Sequence, residues 1–352
     1  MDHFENAVAE LAAAASVDDA YAGAQRLLAE LDGADAATRQ RALGRLADVL
    51  PTASVDCAGV VALACGALVE HGGDPERPLD ALLGRLPEVL AGAAAFADAC
   101  RAQAKADDDA IERYGDEVAK TMPAEAVAWG ALDLFASAAI AVLARSPAAR
   151  RRARARPELA KRAAAVGDLH GKAKFLAELL RVLDDEVLLV LHPETGRGWK
   201  VRIGGISDNF QLHTLLADAL IGDPEKGLLS GRRPDPRIGA AARDRPVDPS
   251  VTLAEGAFNL MNWQALRPDR TLPAGQDGSA HWIWNEGVPD DIEKFEGVRV
   301  VLLGPSPYHR TWDAGRRFED MPADLKVVET LTPAAADGLL GRIAAAPRTS
   351  ED

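Results

Sequence analysis

The sequence predicts two domains of different class: an all-helical domain over residues 1–183, then an α+β domain over 184–352 with a mixed or antiparallel sheet. Three observations carry this. Up to about residue 183 the apolar residues recur with helical period, segment after segment. At Val187-Leu188-Leu189-Val190-Leu191 an unbroken apolar run appears. Across His192-Pro193-Glu194-Thr195-Gly196-Arg197-Gly198 it is followed by the alternating Trp199-Lys200-Val201-Arg202-Ile203, the pattern of two strands joined by a turn. Downstream, loops separate the strand-like stretches more often than helices do, which favours α+β over a doubly wound sheet. A length of 352 residues accommodates about two domains.

Taken in order, Asp2 and Glu5 form a capping box, and Phe4, Val8, Leu11 and Ala12 share one stripe. Ser16 and Asp19 start a second helix with Tyr21, Ala24, Leu28 and Leu31 inward, stopped by Gly33. Thr38 opens a third, carrying Ala42, Leu43, Leu46 and Leu50 and ended by Pro51. A fourth runs through Val60, Val61, Ala64, Leu68 and Val69 to Gly72-Gly73. Asp74-Pro75 is a helix start, with Leu79, Leu82, Leu83 and Leu86 and then Val89, Leu90, Ala93 and Phe96 behind it. Further helices are expected at about 107–119, 123–145 and 147–156. Antiparallel helices of this kind pack as a bundle or a solenoid, and their spacing resembles HEAT-type arrays, without a motif repeated at fixed period. Such an array offers surface for protein contacts, or simply covers the second domain. A basic island (Arg145, Arg150, Arg151, Arg152, Arg154, Arg156, Lys161, Arg162) reads either as an anion-binding surface or as a solvated helix face. No aromatic residue interleaves it to stack a base.

Gly167-Asp168-Leu169-His170-Gly171, continued by Lys172-Ala173-Lys174-Phe175-Leu176, resembles the first metal-binding motif of metallophosphoesterases. In that family Asp and His two apart hold metal at a strand end. The resemblance covers residues 167–176 and implies Asp168 and His170 as ligands of a metal-dependent phosphoesterase. The family's later Gly-Asp-x-x-Asp-Arg-Gly and Gly-Asn-His motifs are absent. A competing pattern, Leu159, Ala163, Val166, Leu169, Ala173, Leu176, Leu180 and Leu183, runs as one helical stripe through the motif. Side chains 168 and 170 of a helix point about 200° apart and do not share an ion. On that reading no metal is expected. Gly167 and Gly171 admit a neighbouring backbone, and Asp168 pairs with Lys172.

In the second half, the run 187–191 is apolar on both faces and belongs inside a covered sheet. The 199–203 strand alternates, so one of its faces is wet, and a turn at Glu194 to Arg197 places His192 across from Trp199 or Lys200. Asp208 and Gln211 cap a helix with Leu212, Leu215, Leu216, Ala219 and Leu220 inward. His213 beside that face reads as a packed histidine ahead of a catalytic one. Residues 223–250, rich in Pro, Gly, Arg and Asp, are expected as a long irregular loop. Strands are expected at about 257–263, 280–285, 298–303 and 325–330, and Thr332-Pro333 starts a last helix with Leu339, Leu340 and Ile343 inward.

Composition narrows the function. Hydrophobic content of 48% with 27% charge is that of a soluble globular chain. A net charge of −14 argues against nucleic acid and anionic membranes as partners. No leader is visible at Met1-Asp2-His3-Phe4-Glu5, no run approaches a membrane span, and Cys57, Cys65 and Cys100 lack metal spacing, so a cytoplasmic protein is expected. No dinucleotide, phosphate-loop, nucleophile-elbow or zinc motif is present, so neither cofactor nor metal is expected. Trp199, Trp263, Trp282 and Trp284, with Asn285, Tyr308 and Arg310, are the expected ligand-binding residues, either around a pocket or as an aromatic core with capped loops. Trp282 and Trp284 share one face of the expected strand. The leading expectation is a non-catalytic recognition or assembly protein holding a peptide or protein partner through this Trp-rich domain, and a homo-oligomer is compatible with it. The alternative is an enzyme using His281, Glu286 or His309 as acid or base at strand-end loops, which requires the three to converge. The third is the phosphoesterase implied by Asp168 and His170.

Overall fold

A computed structural model describes residues 2–105 and 109–347. The Asp2 side chain lies outside the described residues, and so does the capping box expected there. The same holds for the expected helix start at 107–108. The chain contains helices and a mixed sheet and divides into two compact units, Met1–Arg181 and Val182–Asp352.

In the first unit the helices are Asp2–Ala12 (α1), Val17–Glu30 (α2), Ala36–Val49 (α3), Val55–Glu70 (α4), Glu76–Gln103 (α5), Ala110–Thr121 (α6), Pro123–Arg145 (α7), Pro147–Arg154 (α8), Pro157–Gly167 (α9) and Gly171–Leu179 (α10). Side-chain caps set many of their starts: Ser16, Asp35, Asp109 and Ser146 each accept the N–H three residues on. Because Asp35 caps Thr38 N–H at 2.7 Å, α3 opens ahead of Thr38 and buries it in the first turn. In α2 the inward stripe is Ala20, Ala24, Leu27 and Leu31; the expected Tyr21 and Leu28 are exposed.

Helix α7 is long and apolar enough to cross a membrane, contrary to the expectation that no run reaches that length. More than half of its most apolar window is buried within the unit, against α4 and α5. All three cysteines are buried and unpaired, and burial pushes the Cys65 thiol up to about 12.

The helix α5 carries Pro87 in its interior. Proline has no N–H, so the carbonyl four residues earlier, Leu83 O, loses its helical donor. Arg156 replaces it, with Nη1 at 2.7 Å from Leu83 O, and Arg162 donates to Pro87 O at 2.8 Å. Much of the basic island is spent in this way. Arg150 is buried and donates to Leu143 O and Ala144 O at the end of α7, while Arg152 meets Glu76 and Asp80.

The expected continuous helix through 159–183 is broken. Helix α9 stops at Gly167 and α10 starts at Gly171, with His170 extended between them (φ −140°) and its ring accepting Ala173 N–H as an N-cap. Two glycines of low helix propensity and a side chain able to cap outweigh the apolar period. Gly167 does admit a neighbour: a Cβ there would stand 3.3 Å from Lys174 Cα, whereas Gly171 has open space. His170 meets Trp129 edge-on at 5.4 Å. The i,i+4 pair expected of Asp168 and Lys172 requires a helix that is not there. Among the described residues no three of His, Cys, Asp and Glu gather as a metal site.

In the second unit the strands are Leu183–His192 (β1), Arg197–Ile206 (β2), Leu253–Glu255 (β3), Asn259–Met261 (β4), Lys294–Phe295 (β5), Val298–Gly304 (β6), Thr311–Asp313 (β7) and Asp324–Thr330 (β8). The helices are Asn209–Leu220 (α11), Pro236–Arg243 (α12) and Pro333–Ala345 (α13). The main sheet has the order β4-β6-β1-β2-β8, with β5 also on β6; β1 and β6 are parallel and the other pairs antiparallel. Strand β1 is apolar and buried over residues 188–191 because both faces are covered there. Leu188 and Val190 pack with Trp199 and Val201 of β2 under α11, while Leu189 and Leu191 pack with Val300 and Leu302 under α13. The hairpin turn is Pro193–Gly196, so His192 pairs with Arg197 instead of Trp199 or Lys200. At the free edge, Val328 is the extra residue of a bulge in β8 beside Lys326, two devices that blunt an edge against further pairing.

Two expectations fail here. Residues 223–250 are not all irregular: Asp235 caps α12 ahead of Pro236. Residues 280–285 are not a strand. A 3-10 turn ends at His281, Trp282 alone bridges Met261, and the chain leaves the sheet at Trp284. Strands β3 and β7 form a separate two-stranded ribbon.

Candidate functional site

The site is built on the N-terminus of α11. The first N–H groups of a helix have no partner inside it, and here they reach a turn distant in sequence. Asn209 N–H donates to Gly287 O at 2.9 Å, Phe210 N–H to Asn285 O at 3.1 Å, and Asn209 Nδ2 to Trp284 O at 2.9 Å. Asp208 caps Gln211 N–H at 2.8 Å, and burial pushes its carboxyl up. Gln211 accepts from Ser207 N–H and donates to Ala242 O, which ties the helix start to α12. Residues 284–287 are thereby fixed although they belong to no strand.

Against this turn stands the chain leaving β6. Arg310 donates from Nη2 to Phe258 O at 2.8 Å, and Gly256 N–H donates to Arg310 O at 2.9 Å. A Cβ on Gly256 would lie 2.7 Å from Arg310 Cγ, so glycine is what lets that side chain pass. Trp312 Nε1 donates to Thr214 Oγ1 at 3.2 Å. The result is a hollow of 200 Å³ walled by Phe210, Trp282, Trp284, Tyr308 and Trp312, with Asn285, Glu286 and Arg310 among its polar groups. Trp282 lies 5.3 Å from Trp284 and 6.4 Å from Tyr308, ring to ring. Trp284 is 54% exposed and Tyr308 47%, both at the rim.

Its polar groups are under-used. Trp282 Nε1, Asn285 Oδ1 and Arg310 Nε are buried without a hydrogen-bond partner among the described residues. Burial lowers the Arg310 pKa, against the pull of Tyr308 and Glu286. Behind the wall, His213 is fully buried. It stacks on Phe258 at 4.7 Å, meets Trp312 edge-on at 4.9 Å, and its Nε2 accepts Ala257 N–H at 3.0 Å. Desolvation, helped by Arg310, lowers its pKa to about 3.

Five of the residues singled out in the sequence thus line one hollow: Trp282, Trp284, Asn285, Tyr308 and Arg310, together with Glu286. Four do not. Trp199 is fully buried in the α11 face of the core, and Trp263 packs on Phe295 at 5.2 Å. His281 and His309 are not in the lining, so His281, Glu286 and His309 do not converge on it. Phe210 and Asn259 join the wall without having been singled out, and Trp312, one of the five tryptophans of this half of the sequence, joins it too. Compared with known proteins, the chain matches no family model, no curated protein and no solved structure.

A second concavity of 710 Å³ lies at the carboxyl ends of the parallel strands β1 and β6, where His192 and Gly304-Pro305 form part of its floor. Its banks are Ser230–Asp235 and β3. Thr195 N–H donates to His192 Nδ1 at 3.3 Å, and burial pushes the imidazole's pKa down. Nothing in hydrophobic period marks either bank, and the stretch 223–250 expected as a long loop supplies one of them.

Proposed function

We propose that this is a cytoplasmic recognition protein without catalytic activity, in which a helical array carries an α+β domain that grips a peptide or protein partner in its aromatic hollow. The observation that supports this best is the pair Trp284 and Tyr308, held half-exposed over buried polar atoms that lack partners. Trp, Tyr and Arg gathered around one small concavity are the residue types that dominate binding hot spots. A hollow of 200 Å³ suits one apolar or aromatic side chain, with Asn285 and Arg310 for its polar edge. The buried, unpaired cysteines fit a reducing compartment.

The test is an array of immobilised random octapeptides exposed to the full chain. Because Trp284 is mostly exposed, Trp284→Ala leaves the core intact. It is expected to weaken the retained peptides at least about tenfold, the loss of one hot-spot residue. Equal retention by the wild type and the variant removes the hollow from the function.

A further inference from the structure

The 710 Å³ cleft stands apart from the aromatic hollow. On one bank is β3. Ala314 N–H donates to Thr252 O at 2.8 Å and Gly256 N–H to Arg310 O at 2.9 Å, so the hydrogen-bonded positions of the β3–β7 ladder are 252, 254 and 256. Leu253 and Glu255 occupy the alternate positions, whose N–H and C=O point away from β7. Both residues line the cleft, and the main chain of neither has a hydrogen-bond partner among the described residues. The opposite bank, Ser230 to Pro234, also makes no main-chain hydrogen bond among the described residues. At the exposed rim, Arg232 Nη1 meets the Glu255 carboxylate at 3.2 Å, joining the two banks.

Donor and acceptor pairs two residues apart along an edge repeat about every 7 Å, the period of another extended backbone. A compact small molecule does not reproduce it. We propose that an extended segment of a partner polypeptide adds as a strand to β3 inside this cleft, pairing its main chain with Leu253 and Glu255. The exposed Leu253 side chain offers an apolar contact along the added strand, and the Arg232–Glu255 pair offers one charge of each sign at the rim. The inference shares with the proposed function only the class of partner. Residues of β3 face the cleft while Thr311 and Trp312 of β7 face the hollow, so either site can fail without the other.

The test uses the full chain with an acetylated, amidated hexapeptide of alternating Val and Thr, and the same peptide N-methylated at alternate residues. The first is expected to bind saturably, slowing hydrogen exchange at the Leu253 and Glu255 amides; N-methylation on the pairing edge weakens it at least about tenfold, the loss of two or more main-chain hydrogen bonds. Glu255→Pro, which removes one free N–H and leaves the β3–β7 ladder whole, reproduces that loss, while Glu255→Ala keeps more of the affinity and Trp284→Ala keeps all of it. Three results overturn the proposal: no protection of these amides at millimolar peptide, equal binding of the N-methylated peptide, or protection that follows protein concentration without peptide.

Discussion

His213 shows how one buried side chain makes the second unit sensitive to acid. Its ring accepts Ala257 N–H in the neutral form, and its folded pKa of about 3 lies below the usual 6.5. The unfolded chain therefore binds a proton here between pH 6.5 and 3 that the folded chain refuses. Stability is whole above pH 6.5 and falls as the pH drops toward 3, by about 2 kcal/mol at pH 5 from this group. Urea denaturation at pH 7 and pH 5 should show that slope. His213→Phe keeps the stacking, loses the acceptor for Ala257 at a cost of roughly 1–2 kcal/mol at pH 7, and flattens the slope. An unchanged slope in the variant assigns the acid sensitivity elsewhere. At this scale the sequence was partly legible. Asn285, Glu286, Tyr308 and Arg310 stood out because polar and aromatic residues cluster where strands end. Trp199 misled because alternation along a strand tells which side a residue faces, and not whether that side is covered; α11 covers it.

Among elements, α5 carries the most informative defect. Arg156, at the junction between α8 and α9, supplies the hydrogen bond that Pro87 denies to Leu83 O. Leu83 is buried, so Arg156→Ala strands its carbonyl and is expected to cost about 1–3 kcal/mol. In a Pro87→Ala background the helix regains its own N–H, and the same Arg156→Ala change should cost measurably less. A double-mutant cycle read by urea midpoints gives that coupling, and additive effects would break the link between the two residues. Long periodic helices such as α4, α5 and α7 were legible because many residues vote together. Short elements were not: at 168–170 a histidine cap and two glycines overrode the stripe, and at 280–285 the carbonyls of the expected strand were taken by the start of α11. Apolar period contains no term for either.

For the molecule as a whole, the two compact units each bury an apolar interior of their own. Produced separately, residues 1–181 and 182–352 are each expected to melt cooperatively, followed by far-ultraviolet circular dichroism. The second fragment should retain most of the near-ultraviolet signal, since it holds Trp199, Trp263, Trp282, Trp284 and Trp312 against Trp129 alone in the first. A fragment that stays unfolded by itself would show that the units are stable only together. Vectorial synthesis gives the proline in α5 a further meaning. Leu83 leaves the ribosome well before Arg156 and Arg162 have been polymerised. Until then α5 carries a carbonyl that only water or a chaperone can satisfy, so the growing chain is expected to keep that helix open at a hinge until both arginines emerge. A ribosome paused before residue 156 would present a nascent chain cut by protease near Pro87, and one paused well beyond residue 162 would not.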